Sequence, residues 1–168
     1  MKNYLINIIF SFLPATKMFK FKVLLLNFFG MDISPNARLC GNIKIYGRGK
    51  LIIGDDTFIG IGTCFILAED APIIIGKNCD IAPYCIFHTG SHEIGPSSRR
   101  AGTGFSKQII IKDGVWIGCR STILYGVSID SGSIIAATST VLSGDYEKDI
   151  LIAGIPARKK RYLDNMEI

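Results

Sequence analysis

From Ile33 onward the chain places an apolar side chain at every sixth position. The series runs Ile33, Leu39, Ile45 and Leu51, then shifts by two residues to Ile53, Ile59 and Phe65. It continues through Ile75, Ile81 and Phe87, and a last block reads Ile111, Ile117, Ile123, Ile129, Ile135 and Val141. A step of six puts successive apolar positions about 120° out of phase on a helix of 3.6 residues per turn, so this pattern is not helical. A smaller side chain stands two residues earlier in most repeats: Thr57, Thr63, Cys79, Cys85, Val115, Ser121, Val127, Ser133 and Ser139. Glycine often follows the apolar residue, as in Ile53-Gly54, Ile59-Gly60, Ile75-Gly76 and Ile117-Gly118. Short strand, tight turn and a large/small alternation predict an all-β solenoid with three strands per coil, each coil burying its apolar residue on the one below.

Two segments break the pattern. The repeat stops after Phe87 and resumes near Ile109, so residues 88–110 are expected to form a loop. Its length exceeds the roughly 12–15 residues usual for structureless connections, and such loops are more often functional than idle. It holds both histidines of the chain, His88 and His92, and the pair Arg99 and Arg100. The other segment is residues 1–30. Tyr4 to Leu13 is apolar for only ten residues before Pro14, too short for a span of about 20, and Lys17, Lys20 and Lys22 interrupt the next apolar stretch. No convincing small-x-small cleavage site marks a signal peptide. Asn3, Asn7 and Ser11 form a narrow polar stripe, which predicts one or two helices packed on the end of the array. Lysines beside Phe and Leu also suit peripheral contact with a membrane surface.

Composition narrows the picture. At 168 residues with 48% hydrophobic and 20% charged residues, one folded unit is expected. The organisation predicted is an N-terminal apolar helical segment 1–30, a β-helix 31–155, and a C-terminal basic tail 156–168. Of the net charge of +5, the run Arg158, Lys159, Lys160, Arg161 carries four. That local excess favours a small polyanionic ligand over nucleic acid, which would call for cations spread along a face between aromatics. Cys40, Cys64, Cys79, Cys85 and Cys119 are odd in number and lack metal-ligand spacing. Reduced thiols in a cytoplasmic protein are therefore expected, with Cys79 and Cys85 as small packing residues.

The order of landmarks, "IAPYCIF" before a histidine-bearing loop, then "DGVWIGCRSTILYGVSI", then "LIAGIPARKKRYL", resembles the hexapeptide-repeat acyltransferases. The likeness runs from Ile33 to about Leu163 and is strongest to the galactoside, maltose and polysaccharide O-acetyltransferase branch. It implies a left-handed parallel β-helix, a homotrimer with active sites between neighbouring subunits, acetyl-CoA as co-substrate, and no required metal. It implies a sugar hydroxyl as acceptor, in bacterial surface polysaccharide biosynthesis, at a cytoplasmic site or the inner face of the cytoplasmic membrane. An amino-acid or antibiotic acetyltransferase of the same fold, or a non-enzymatic solenoid, are the alternatives. A β-helical carbonic anhydrase needs three histidines for zinc, and this chain has two.

The same resemblance assigns roles. In "TGSHEIG", His92 matches the family's catalytic base, a neutral imidazole being suited to take a proton from a hydroxyl as it attacks a thioester. Its second ring nitrogen needs an acceptor; Glu93, Asp80 and main-chain carbonyls are candidates. His88 reads as a packing or supporting group. Asp70 matches an acidic residue that hydrogen-bonds the acceptor. Arg99 and Arg100 are expected to meet an acidic sugar, a nucleotide diphosphate or the neighbouring subunit, or to be a solvated loop tip. Trp116, Gly118, Cys119 and Ala137 would line the pantetheine arm, the last two through main chain, with Arg158 and Arg161 near the nucleotide end. Leu142-Ser143 stands where relatives often carry Thr-Lys, which removes one phosphate contact.

Overall fold

Every apolar position of the six-residue period lies inside a stack of parallel coils. The computed structural model describes residues 2–163. The chain winds round three faces. Face 1 carries Asp32–Ile33, Leu51–Ile53, Ile73–Ile75, Ile109–Ile111, Val127–Ile129 and Gly144–Tyr146. Face 2 carries Arg38–Leu39, Phe58–Ile59, Asp80–Ile81, Trp116–Ile117, Ile134–Ile135 and Ile150–Gly154. Face 3 carries Lys44–Gly47, Cys64–Leu67, Ile86–His88, Thr122–Leu124 and Thr140–Val141.

Register makes the core a set of columns. Ile33, Ile53, Ile75, Ile111 and Ile129 stack on face 1. Leu39, Ile59, Ile81, Ile117, Ile135 and Ile152 stack on face 2. On face 3 the column is Ile45, Phe65, Phe87, Ile123 and Val141, with the two phenyl rings stacked at 5.2 Å. Each buried side chain of this kind contributes about 1.5–3 kcal/mol, which is why one coil cannot stand without its neighbours.

The corners explain the small residues and the glycines. Thr57 donates to the Gly76 carbonyl of the next coil at 2.7 Å, Ser121 to Ala136 at 3.1 Å and Ser133 to Glu147 at 2.9 Å. Cys79 and Cys85 occupy the same place, their thiols facing the Lys112 and Gly118 carbonyls at 3.1 and 3.3 Å. Beyond packing, therefore, these side chains staple one coil to the next. Gly60 is required by close approach: a Cβ there would lie 2.5 Å from the Pro83 nitrogen. The left-handed backbone sits elsewhere, three residues before many of the inward side chains, at Asn42, Asp56, Asn78, Tyr84, Arg120 and Thr138 and at Gly62, Gly114, Gly126 and Gly132. Asn, Asp and Gly tolerate that conformation; Tyr84, Arg120 and Thr138 are held in it by N–H bonds to carbonyls of Ile61, Pro83 and Cys119.

Two helices, α1 (Lys2–Phe12) and α2 (Phe19–Phe28), cover the first coil. Ile6, Phe10, Val23 and Leu26 are buried against it. The polar stripe of α1 faces the array: the Asn7 amide donates to the Ile45 carbonyl at 2.9 Å and accepts from the Ile45 N–H at 2.8 Å. Asn27 of α2 makes the same pair with Ile33, at 2.8 Å each way. Two side-chain amides thus take the place of a missing strand on two open edges. Lys22 is fully buried, its ammonium donating to the Pro14 and Ala15 carbonyls at 2.7 and 3.3 Å. Burial pushes its pKa down.

The basic segment departs from the expected tail. Residues Ala157–Tyr162 form a strand that turns back antiparallel on Ile150–Gly154 and closes the last edge of face 2. The Tyr162 hydroxyl donates to Glu147 at 2.6 Å, and Lys159 bonds both Glu147 and Tyr162. The rest of the expected tail, residues 164–168, lies outside the described residues.

Candidate active site

The interruption after Phe87 is an ordered hairpin. His88 still belongs to the coil, in the strand Ile86–His88. Gly90–Ile94 then pairs antiparallel with Ala101–Ser106, and the coil resumes at Ile109. Its base is clamped by buried Thr89, whose hydroxyl accepts from the Ala68 N–H at 2.8 Å and whose carbonyl accepts from the Lys107 N–H at 3.0 Å. Phe105 sets its ring edge-on to Tyr125 at 5.0 Å. At the tip the Gly95 N–H bonds the Arg100 carbonyl and the Arg99 N–H bonds the Pro96 carbonyl.

His92 projects from this hairpin, exposed, opposite Gly104. The ladder slips between His92 and Ile94, the kind of bulge that re-aims a side chain. Nδ1 of His92 lies 3.0 Å from the Gly102 carbonyl oxygen. A carbonyl only accepts, so the neutral ring carries its proton on Nδ1 and leaves the Nε2 lone pair free. Among the three candidates for orienting the ring, the contact is with a main-chain carbonyl. Asp80 stands on face 2 in register with Trp116, a different part of the surface from the hairpin, which leaves the corner between faces 3 and 1. Gly102 reaches this position because it lacks a Cβ, which would lie 2.9 Å from the Glu93 oxygen.

The expected residues separate into two groups. Asp70 is exposed on the turn between Leu67 and Ile73, at the same corner and one coil before the hairpin; the hydrogen bond from the Ala68 N–H to the Thr89 hydroxyl joins turn and hairpin. His88 is half-buried at the hairpin's root, its Nε2 on the side of Gly90. Glu93, Arg99 and Arg100 are exposed along it, and Arg100 donates to the Gly95 carbonyl at 3.3 Å.

The second group lies on face 2 and its following corner. Trp116, Ile134, Leu151 and Arg161 are successive register partners across four strands. Gly118 packs so closely on Ala137 that a Cβ would collide with its nitrogen. Cys119 and Ala137 are exposed at that corner, and Arg158 is exposed opposite Ala153. Phe58, Asp80, Ile81, Ala82, Pro83 and Trp116 line a shallow groove of about 470 Å³. One chain does not bring His92 to this row. A larger cleft of about 620 Å³, between α1 and the first coil, holds none of the expected residues. Gly102, Thr89, Phe105 and Tyr125 are the structural supports that the sequence pattern does not single out. The run "GPSS", which connects the strands Gly90–Ile94 and Ala101–Ser106, is the turn signal that could have marked the hairpin.

Comparison with known proteins agrees with this architecture. A model of the hexapeptide repeat of succinyl-transferase matches residues 50–82 and 108–143. A galactoside O-acetyltransferase of Lactococcus lactis subsp. lactis is 29% identical over 101 residues, which are 60% of this chain and 48% of that protein. The chain thus spans about half the length of that curated relative. The hexapeptide-repeat acetyltransferase VCA0836 of Vibrio cholerae, solved with acetyl coenzyme A, superposes with a TM-score of 0.72 at 28% identity, covering 98% of this chain and 86% of that one. The polySia-specific acetyltransferase NeuO superposes with a TM-score of 0.68 at 29% identity, over 82% of this chain and 66% of that one. Repeat, coil and order of landmarks together mean that the chain belongs to the hexapeptide-repeat family of acyltransferases.

Proposed function

We propose that this chain is an acetyl-CoA-dependent O-acetyltransferase that modifies a sugar hydroxyl in bacterial surface polysaccharide synthesis. The observation that carries the reading is the His92–Gly102 contact on an exposed hairpin, in which the neutral ring donates from Nδ1 to the carbonyl and keeps Nε2 for an acceptor hydroxyl. In the mechanism, His92 Nε2 takes the proton of the acceptor hydroxyl as its oxygen attacks the thioester carbonyl. Main-chain N–H groups of the adjoining coil hold the oxyanion. The C–S bond then breaks, and the imidazolium returns the proton to the leaving thiolate. The acetyl group passes directly to the sugar.

The donor side has matching dimensions. Neighbouring strands are about 4.8 Å apart, so the row from Trp116 to Arg161 is about 14 Å long. That suits an extended pantetheine arm with its phosphates at the arginine end. Arg158 and Arg161 hold the nucleotide end, and Trp116, Gly118, Cys119 and Ala137 line the arm. Asp70 holds acceptor hydroxyls, Arg99 and Arg100 an anionic part of the acceptor, and His88 and Glu93 flank the base.

Because hairpin and donor row sit on different parts of one chain, a complete site takes its two halves from neighbouring copies, in a homotrimer. Five free thiols suit the reducing cytoplasm, where the donor is made. The sugar assignment is supported by a galactoside O-acetyltransferase and a polySia-specific enzyme among the similar proteins.

Calorimetric titration of acetyl-CoA into the protein, beside an Arg158→Ala/Arg161→Ala variant, tests the reading. Micromolar binding that weakens in the variant is expected. Absence of binding at millimolar donor overturns it. Free-thiol release on galactosides and sialylated oligosaccharides, against serine and macrolides, then decides the acceptor class.

A further inference from the structure

We infer that the outer face of the α1–α2 pair is a docking surface for an anionic lipid membrane. The two helices turn one side to the first coil and leave the other uncovered. On α1, Tyr4, Leu5, Ile8 and Phe12 fall within about 100° of one another on a helix of 3.6 residues per turn, opposite buried Ile6 and Phe10. On α2, Phe21, Leu24 and Phe28 share one side, opposite Val23 and Leu26. Phe12 is 85% exposed, Phe28 82%, Tyr4 74% and Leu24 68%. Both outer faces point away from the first coil that the helices cover, and their exposed aromatic and aliphatic side chains cluster by helix face, more than the scattered exposure ordinary on a soluble surface.

Charge identifies the occupant. The first acidic residue of the chain is Asp32, beyond both helices, while Lys17 and Lys20 stand exposed beside the apolar face. An apolar face on helices that carry cations and no carboxylate is complementary to a bilayer surface bearing anionic headgroups. A second copy docked face to face would set lysine against lysine. Neither helix crosses a bilayer: at 11 and 10 residues both are half of what a span needs. They lie in the interface, with the coil axis pointing away from it. Lys22 takes no part, its ammonium being spent on Pro14 and Ala15.

Flotation of the full chain with equimolar phosphatidylglycerol/phosphatidylcholine vesicles, and with pure phosphatidylcholine, tests this. The wild type floats with the anionic vesicles. A Phe12→Ser/Leu24→Ser/Phe28→Ser variant, altered only where side chains face solvent, keeps its thermal transition and loses ~100-fold or more in partitioning. Lys17→Gln/Lys20→Gln loses about fivefold per lysine on anionic vesicles and nothing on neutral ones. The inference is overturned if the wild type stays with the soluble fraction, or if the serine variant floats equally well. It is also overturned if the serine variant dissociates a larger assembly while neither protein floats, since the face then belongs to a second copy.

Discussion

Nδ1 of His92 lies 3.0 Å from the carbonyl oxygen of Gly102 on the opposite strand of the hairpin. The imidazole is thereby oriented by main chain, and its tautomer is set by a neighbour that can only accept. Removing the base by His92→Ala is expected to lower kcat by about 10²–10⁴ with acetyl-CoA affinity unchanged. Gly102→Ala keeps the imidazole but forces its acceptor off the Glu93 oxygen and the Gly95 nitrogen; a loss of about 10- to 100-fold in kcat is expected. Gly104→Ala is the control, because its Cβ meets the ring at an ordinary 3.8 Å. Steady-state kinetics on the three variants separates them, and equal losses at 102 and 104 would show that the carbonyl does not orient the ring.

Asn7 and Asn27 each exchange two hydrogen bonds with an edge residue of the first coil. Alanine at either position leaves a main-chain N–H and C=O without a partner, an expected loss of about 1–3 kcal/mol in urea unfolding. Asn7→Asp accepts from Ile45 but cannot donate to it, so it should fall between wild type and alanine. The two sites lie on different faces, and their losses should add. A double variant as stable as wild type would mean that water caps these edges equally well.

Burial pushes the Cys85 thiol up to about 11 from an ordinary 9.0, and raises Cys79 in the same direction. The native state then keeps protons that the unfolded chain releases, so stability falls as pH rises from about 9 through 11. Lys22 works the other way, since its lowered pKa makes the unfolded chain the better proton binder below 10.5. Cys85→Ser retains a donor toward the Gly118 carbonyl, as Ser121 does toward Ala136, and removes the titration. Thermal melts across this range should show a shallower alkaline decline in the variant; an unchanged slope would place the titration elsewhere.

The supports of the candidate site are not legible in the repeat. A run such as "GSHEI" and a run such as "AGTGFS" look like loop when read against a period of six, because a hairpin standing on a corner has its own period of two. Its pairing is decided by Thr89 and Phe105 meeting groups from neighbouring coils, contacts between residues far apart in sequence. The basic segment is a similar case. Four consecutive cations read as a basic tail suited to a polyanion, with no sign of a strand, yet Ala157–Tyr162 finds an open strand edge and a carboxylate at Glu147.

By itself, the sequence determined the coil. Inward position, strand spacing and the small corner residue all repeat at intervals short enough to read locally, since each coil contacts only the next. Tertiary structure alone decided how the ends are closed, which atom orients His92, and that His92 and the Trp116–Arg161 row stand on different parts of one chain. Those outcomes depend on main-chain groups and on edges left open by the stack. Such groups carry no residue-type signature, so their partners appear only once the coils are wound.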